Sequence, residues 1–132
     1  MVVGLMLVLL AVAGVGIDGT RAFILRRSLQ SSADGAALAA GAELDRSSFY
    51  ASGGRRAVLD GAKARAVASS YLEARGLVAS AEIVVEERGV LVILRGDLPT
   101  MFLGLVGVDG IPVAARARAR PVAGRTLLLP RR

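Results

Sequence analysis

Apolar residues run without interruption over residues 1–17 (MVVGLMLVLLAVAGVGI) before the pattern becomes mixed. A bilayer-spanning helix needs about 17–25 predominantly apolar residues. The run reaches the lower limit, and residues 22–25 (AFIL) carry apolar surface past Asp18 and Arg21. A cleaved signal peptide is the rival reading. It lacks a basic segment ahead of the run, and Ala11-Val12-Ala13 is only a weak small-x-small site. The missing basic flank points to a start upstream of Met1.

Beyond the run the period is helical. Ala22, Leu25, Leu29, Ala33, Ala36, Ala40 and Leu44 recur at spacings of three and four, while Arg27, Ser31 and Asp34 fall on other faces. No Pro interrupts this stretch, so one helix is predicted from the start to about Leu44, about 65 Å long at 1.5 Å per residue. Its glycines, Gly14, Gly16, Gly19, Gly35 and Gly41, weaken it but let another backbone come close. Residues 45–56 (DRSSFYASGGRR) read as a loop. A second helix is predicted over residues 57–75, with Gly61, Ala64, Ala68 and Tyr71 on one face and Gly76 ending it.

The pattern then turns to strands. Residues 81–86 (AEIVVE) and 90–95 (VLVILR) flank Glu87-Arg88-Gly89 as a hairpin. Residues 99–107 (PTMFLGLVG) read as a short apolar helix with Pro99 at its first position. Residues 111–120 alternate, with Ala115, Ala117 and Ala119 on one face and Arg116, Arg118 and Arg120 on the other. The expected fold class is α+β. A long N-terminal transmembrane helix continues into a small domain with a second helix and about three antiparallel strands. Residues 1–20 are expected to span the membrane, 21–121 to form the domain, and 122–132 to be an irregular tail.

Composition removes most chemistry. There is no Cys and no His, which excludes disulfides, thiolate nucleophiles, His-based acid–base schemes and the usual zinc sites. No cofactor, metal or small-molecule substrate is implied. The net charge of +6 comes almost wholly from Arg, with Lys63 the lone lysine. These residues are scattered and no aromatic side chains interleave with them, which argues against nucleic acid as a partner.

Residues 16–44 carry a more specific signal: Asp18, Arg21, Arg26-Arg27, Leu29-Gln30 and then Ala33-Asp34-Gly35-Ala36-Ala37-Leu38-Ala39. This resembles the N-terminal region of TadE/TadG-like proteins of the tight-adherence pilus system, in which an apolar span leads into the same succession of polar and small residues. Gly35 stands where Ala is usual, and the larger TadG-like members continue into a further C-terminal domain. The resemblance implies a bacterial cytoplasmic-membrane protein with a single pass and an extracytoplasmic C-terminal part. Its partners would be the lipid bilayer and other subunits of a Flp pilus or related secretion apparatus. Charge alone would place Arg21, Arg26 and Arg27 in the cytoplasm, so the two arguments oppose each other.

The residues expected to serve a partner or helix packing are Asp18, Arg21, Leu29, Gln30, Ala33, Asp34, Ala36, Ala37 and Ala40. Asp18 is either a contact to a neighbouring subunit in low dielectric or the interfacial end of the span, with Arg21 as its local partner. Gln30 and Asp34, four apart, can bond each other or a partner. The alanine face packs on the chain's own sheet or on another subunit. Glu82, Glu86 and Glu87 read as edge-strand charge rather than a carboxylate site. The Arg116, Arg118, Arg120 stripe reads as a solvated strand face, with contact to lipid phosphates or to an acidic partner as the alternative. A structural role follows, minor-pilin-like or scaffold, without catalysis. The alternative is a membrane-tethered extracytoplasmic binding module whose first helix is only an anchor.

Overall fold

The computed structural model describes residues 1–121. The expected irregular tail, 122–132, lies outside the described residues. The architecture is α+β, as the sequence predicts. One helix, α1 (Val2–Gly41), runs for 40 residues, about 60 Å at 1.5 Å per residue. Two shorter helices follow, α2 (Arg46–Ala51) and α3 (Gly61–Glu73). Three strands, β1 (Ala81–Glu86), β2 (Gly89–Pro99) and β3 (Gly110–Ala119), form an antiparallel sheet in the order β1-β2-β3.

Such a small sheet is stable only if one face is covered. Here Val90, Val92 and Leu94 of β2 and Val113, Ala115, Ala117 and Ala119 of β3 are buried beneath α1 and α3. The helices contribute mostly alanines, Ala33, Ala36, Ala37 and Ala40 from α1 and Ala64 and Ala68 from α3, with Leu29 and Leu72 as the larger members. Side chains this small bury little area each, so the core depends on close approach of backbones. Both outer strands have a carbonyl tied by a helix side chain. Arg65 donates to the Ile83 carbonyl of β1 at 3.0 Å, and Gln30 donates to the Arg116 carbonyl of β3 at 2.9 Å. These bonds blunt sheet edges that would otherwise invite pairing.

Four expectations need correction. Residues 45–56 are not all loop, because α2 forms within them. The Asp45 carboxylate accepts from the backbone N–H groups and hydroxyls of Ser47 and Ser48, satisfying donors that a helix start leaves open. The two hydroxyls, chiefly that of Ser47, hold the Asp45 carboxyl down at about 2, so the cap is charged at ordinary pH. The second long helix begins at Gly61 rather than Ala57, capped by Asp60, because Leu59 is occupied in an antiparallel bridge to Leu44. Pro99 closes β2 instead of opening a helix, and the helical turn there is a single 3-10 turn, Leu103–Val106. Finally, the β1–β2 hairpin turns on two residues, since Glu86 pairs with Gly89. Gly76 does end α3's last turns as expected, with φ +67° and its N–H bonded to the Glu73 carbonyl.

Gly35 is explained by packing. A Cβ there would occupy the position of the Tyr71 hydroxyl and ring edge, and the Arg75 guanidinium stacks on that ring at 3.8 Å from its centroid. Gly35→Ala therefore sets a helix-propensity gain of about 1 kcal/mol against overpacking of about 1–3 kcal/mol. We expect the single change to destabilise the domain and the same change in a Tyr71→Ala background to stabilise it. Denaturation of the four members of this cycle checks the reversal of sign; equal effects in both backgrounds would show that the ring swings aside without cost.

Candidate functional site

Helix α1 presents three surfaces, and they divide the expected site residues among them. Leu29, Ala33, Ala36, Ala37 and Ala40 lie in the chain's own core, against β2, β3 and α3. Of the two candidate supports for the alanine face, the chain's own sheet and helix provide one within a single copy. Gln30 sits at the rim of that contact. Its Nε2 donates to Asp34 Oδ1 at 3.0 Å, the bond between the two that the spacing of four allows, and also to the β3 carbonyl of the same chain.

Asp18 is the exception to its surroundings. It lies in the helix directly after the apolar run, is fully buried, and reaches the loop that joins β2 to β3. Its carboxylate accepts from the backbone N–H of Met101 (3.0 Å), Phe102 (2.9 Å) and Leu103 (2.9 Å). Arg21 approaches the same carboxylate at 3.6 Å, so the local ion pair exists, but it is secondary to the three backbone donors. The reason lies in the loop. The 3-10 turn Leu103–Val106 begins at Phe102, which has no side-chain oxygen with which to cap it. Asp18 supplies from 84 residues away what a Ser or Asp at the turn would supply locally. The two signals visible in sequence are a turn without a capping residue and a carboxylate beside an apolar run. Neither says that the two meet.

The route of the hairpin explains how they do. β2 and β3 run antiparallel to each other and lie along α1. Ala119 faces Gly41, Gly96 faces Leu25 and Leu29, and Phe102 packs on Gly14, where a Cβ would stand 2.5 Å from the Phe102 Cβ. The hairpin therefore descends the helix from its C-terminal end and its tip reaches inside the apolar run. The Thr100 hydroxyl, donating to the Val108 carbonyl, closes the loop on itself.

The third surface of α1 is exposed among the described residues. Phe23, Arg27, Ser31, Asp34 and Leu38 form an exposed stripe at helical spacing, with Phe23 65% and Leu38 69% accessible. Periodicity places Arg27, Ser31 and Asp34 here, but the two apolar ends were not singled out from the sequence. On the far face of the sheet, Glu82 pairs with Arg95 of the neighbouring strand (3.1 Å) and Glu86 reaches across β2 to Arg118 of β3 (2.8 Å), all four exposed, so both carboxylates have ion-pair partners within the sheet. Arg116 and Arg118 are exposed beside them. The Arg116 carbonyl is held by Gln30, 13 residues along α1 from Ile17, and the strand runs from there to Ala119 at Gly41. Among the described residues no three His, Cys, Asp or Glu side chains gather as metal ligands do.

Residues 1–43 match the Tad family model, described as Flp pilus-assembly TadE/G-like. The matched segment is α1 with two residues beyond it, and it contains every residue of the motif read above. No curated protein and no solved structure gives a significant match. The TadE/TadG resemblance is thus met by the family comparison over the N-terminal third. Together with a helix long and apolar enough to cross a membrane, it supports a membrane protein associated with a Tad pilus.

Proposed function

We propose, on the premise that the N-terminal third is TadE/G-like, that the chain is a membrane-anchored structural component of a Flp/Tad pilus or related secretion apparatus. Its role is minor-pilin-like or that of a scaffold, exercised through contacts with other subunits and without catalysis. Residues 1–20 lie in the bacterial cytoplasmic membrane and 21–121 form an extracytoplasmic domain. One observation carries this reading over a mere tether: the distal half of the matched helix is itself a wall of the domain's core, through Leu29, Ala33, Ala36, Ala37 and Ala40. Anchor and domain therefore move as one piece, which suits a part that must hold a position in an assembly. The exposed stripe from Phe23 to Leu38 is the surface offered to a neighbouring subunit.

Leu38→Arg tests it. Leu38 is exposed, and surface changes usually fall within about ±0.5 kcal/mol, so abundance should be normal while pilus assembly or secretion in the parent bacterium falls to the level of a deletion. Unchanged assembly in the deletion strain itself would remove the assembly role. A deletion defect fully rescued by Leu38→Arg would instead move the partner surface elsewhere. A reporter fused after Pro121 should be active only outside the cytoplasm.

A further inference from the structure

We propose that the β2–β3 loop, residues 100–109, is a second membrane element, inserted into the lipid interface beside α1 and held there by Asp18. This rests on the membrane-anchored reading, and on nothing in it about pili. The apolar run fixes where hydrocarbon must be. Phe102 packs on Gly14, which is three residues inside the end of that run, about 4–5 Å at 1.5 Å per residue. If residues 1–17 are in the bilayer, the loop tip is at its boundary, whichever compartment the domain occupies. The loop's composition fits that depth. Met101 is 65%, Leu105 76% and Val106 70% accessible, so the loop that packs on the apolar run itself carries exposed apolar side chains. A polar loop tip would be the ordinary finding in water.

Asp18 then has a clear use. An open carboxylate at position 18 would stop the helix there. With its oxygens filled by three backbone N–H groups and its surface enclosed by the loop, Asp18 presents no open charge at that depth. The Thr20 hydroxyl, bonded to the Gly16 carbonyl at 2.7 Å, is satisfied within the helix as well. One carboxylate thereby pins an apolar loop in the interface without presenting an open charge to it.

The absence of Cys makes the test clean. Single cysteines replacing Val8, Leu105 and Tyr50, each exposed on the protein, are labelled with an environment-sensitive fluorophore in the full-length chain. The variants are reconstituted in phosphatidylcholine–phosphatidylglycerol vesicles carrying nitroxide-labelled lipids, with the nitroxide either shallow or deep. The Leu105 probe should be blue-shifted and quenched more by shallow than by deep nitroxides, the Val8 probe quenched by nitroxides throughout, and the Tyr50 probe by neither. A Leu105 probe that behaves like Tyr50 overturns the proposal while the Val8 result keeps the anchor. A Leu105 probe that is blue-shifted but unquenched also overturns it, since protein rather than lipid then covers the loop. Loss of quenching at Val8 would mark the failure of the anchor reading itself.

Discussion

Replacing Asp18 with Ala should speed amide exchange at Met101, Phe102 and Leu103 by about a hundredfold or more, while amides of the sheet interior such as Val92 and Leu94 keep their protection. The three N–H groups have the carboxylate as their acceptor. A buried donor left without a partner costs about 1–3 kcal/mol, and each 1.4 kcal/mol is a tenfold change in an opening equilibrium. Even two such donors account for the expected factor. Asp18→Asn should fall between, since its one carbonyl oxygen can accept from some of the donors but lacks the charge that strengthens such bonds. Hydrogen exchange on the reconstituted protein reads all three. Protection at 101–103 that survives Asp18→Ala would mean that Phe102 packing on Gly14 holds the loop without help.

Ala36→Leu is the second change from which a large effect is expected, and it acts on the same face of the same helix, five turns further along. Ala36 is wholly inaccessible, in a layer where α1 meets the sheet and α3 through alanines. Three extra carbons have no void to enter, and overpacking costs about 1–3 kcal/mol. For a small domain of marginal stability the upper end of that range is enough to bring proteolysis in the cell. We therefore expect the protein to be lost rather than to persist without assembling, whereas Ser31→Leu, one turn away on the exposed stripe, should leave abundance unchanged. Immunoblotting of membrane fractions decides between them; normal amounts of the Ala36→Leu protein would mean that helix and sheet can separate without exposing the chain to proteases.

The elements that were legible in sequence were those whose pattern is periodic over many residues. The apolar run, the three-and-four spacing from Ala22 to Ala40 and the alternation of Ala with Arg over residues 115–120 all correspond to real faces of α1 and β3. Short elements were lost because their signal is a single local bond. α2 depends on Asp45 capping two serines in what reads as a polar loop. The β2 extension to Pro99 depends on pairing with β3 down to Gly110, and proline is admissible at a strand's end as readily as at a helix's start. The Asp18 contact was illegible for a different reason. Its partners are main-chain groups of Met101, Phe102 and Leu103, and a backbone donor carries no mark in the sequence. Gly14 and Gly35 were visible as gaps in a helix, but what fills each gap, Phe102 and Tyr71, is set by tertiary packing.

The alanine wall of α1 has a consequence in time. Its covering strand β3 ends at Ala119, about 80 residues after Ala40 leaves the ribosome, which is roughly 4–16 s at about 5–20 residues per second. During that interval the span can already be made while the face through Ala33, Ala36 and Ala40 has neither β2 nor β3 to lie against. A nascent chain of this design waits half-dressed, with a smooth strip of small residues open to any helix close enough to occupy it first. Synthesis order thus gives the last strand the task of closing the molecule, and any truncation before residue 110 leaves the earliest-made helix without its β3 cover.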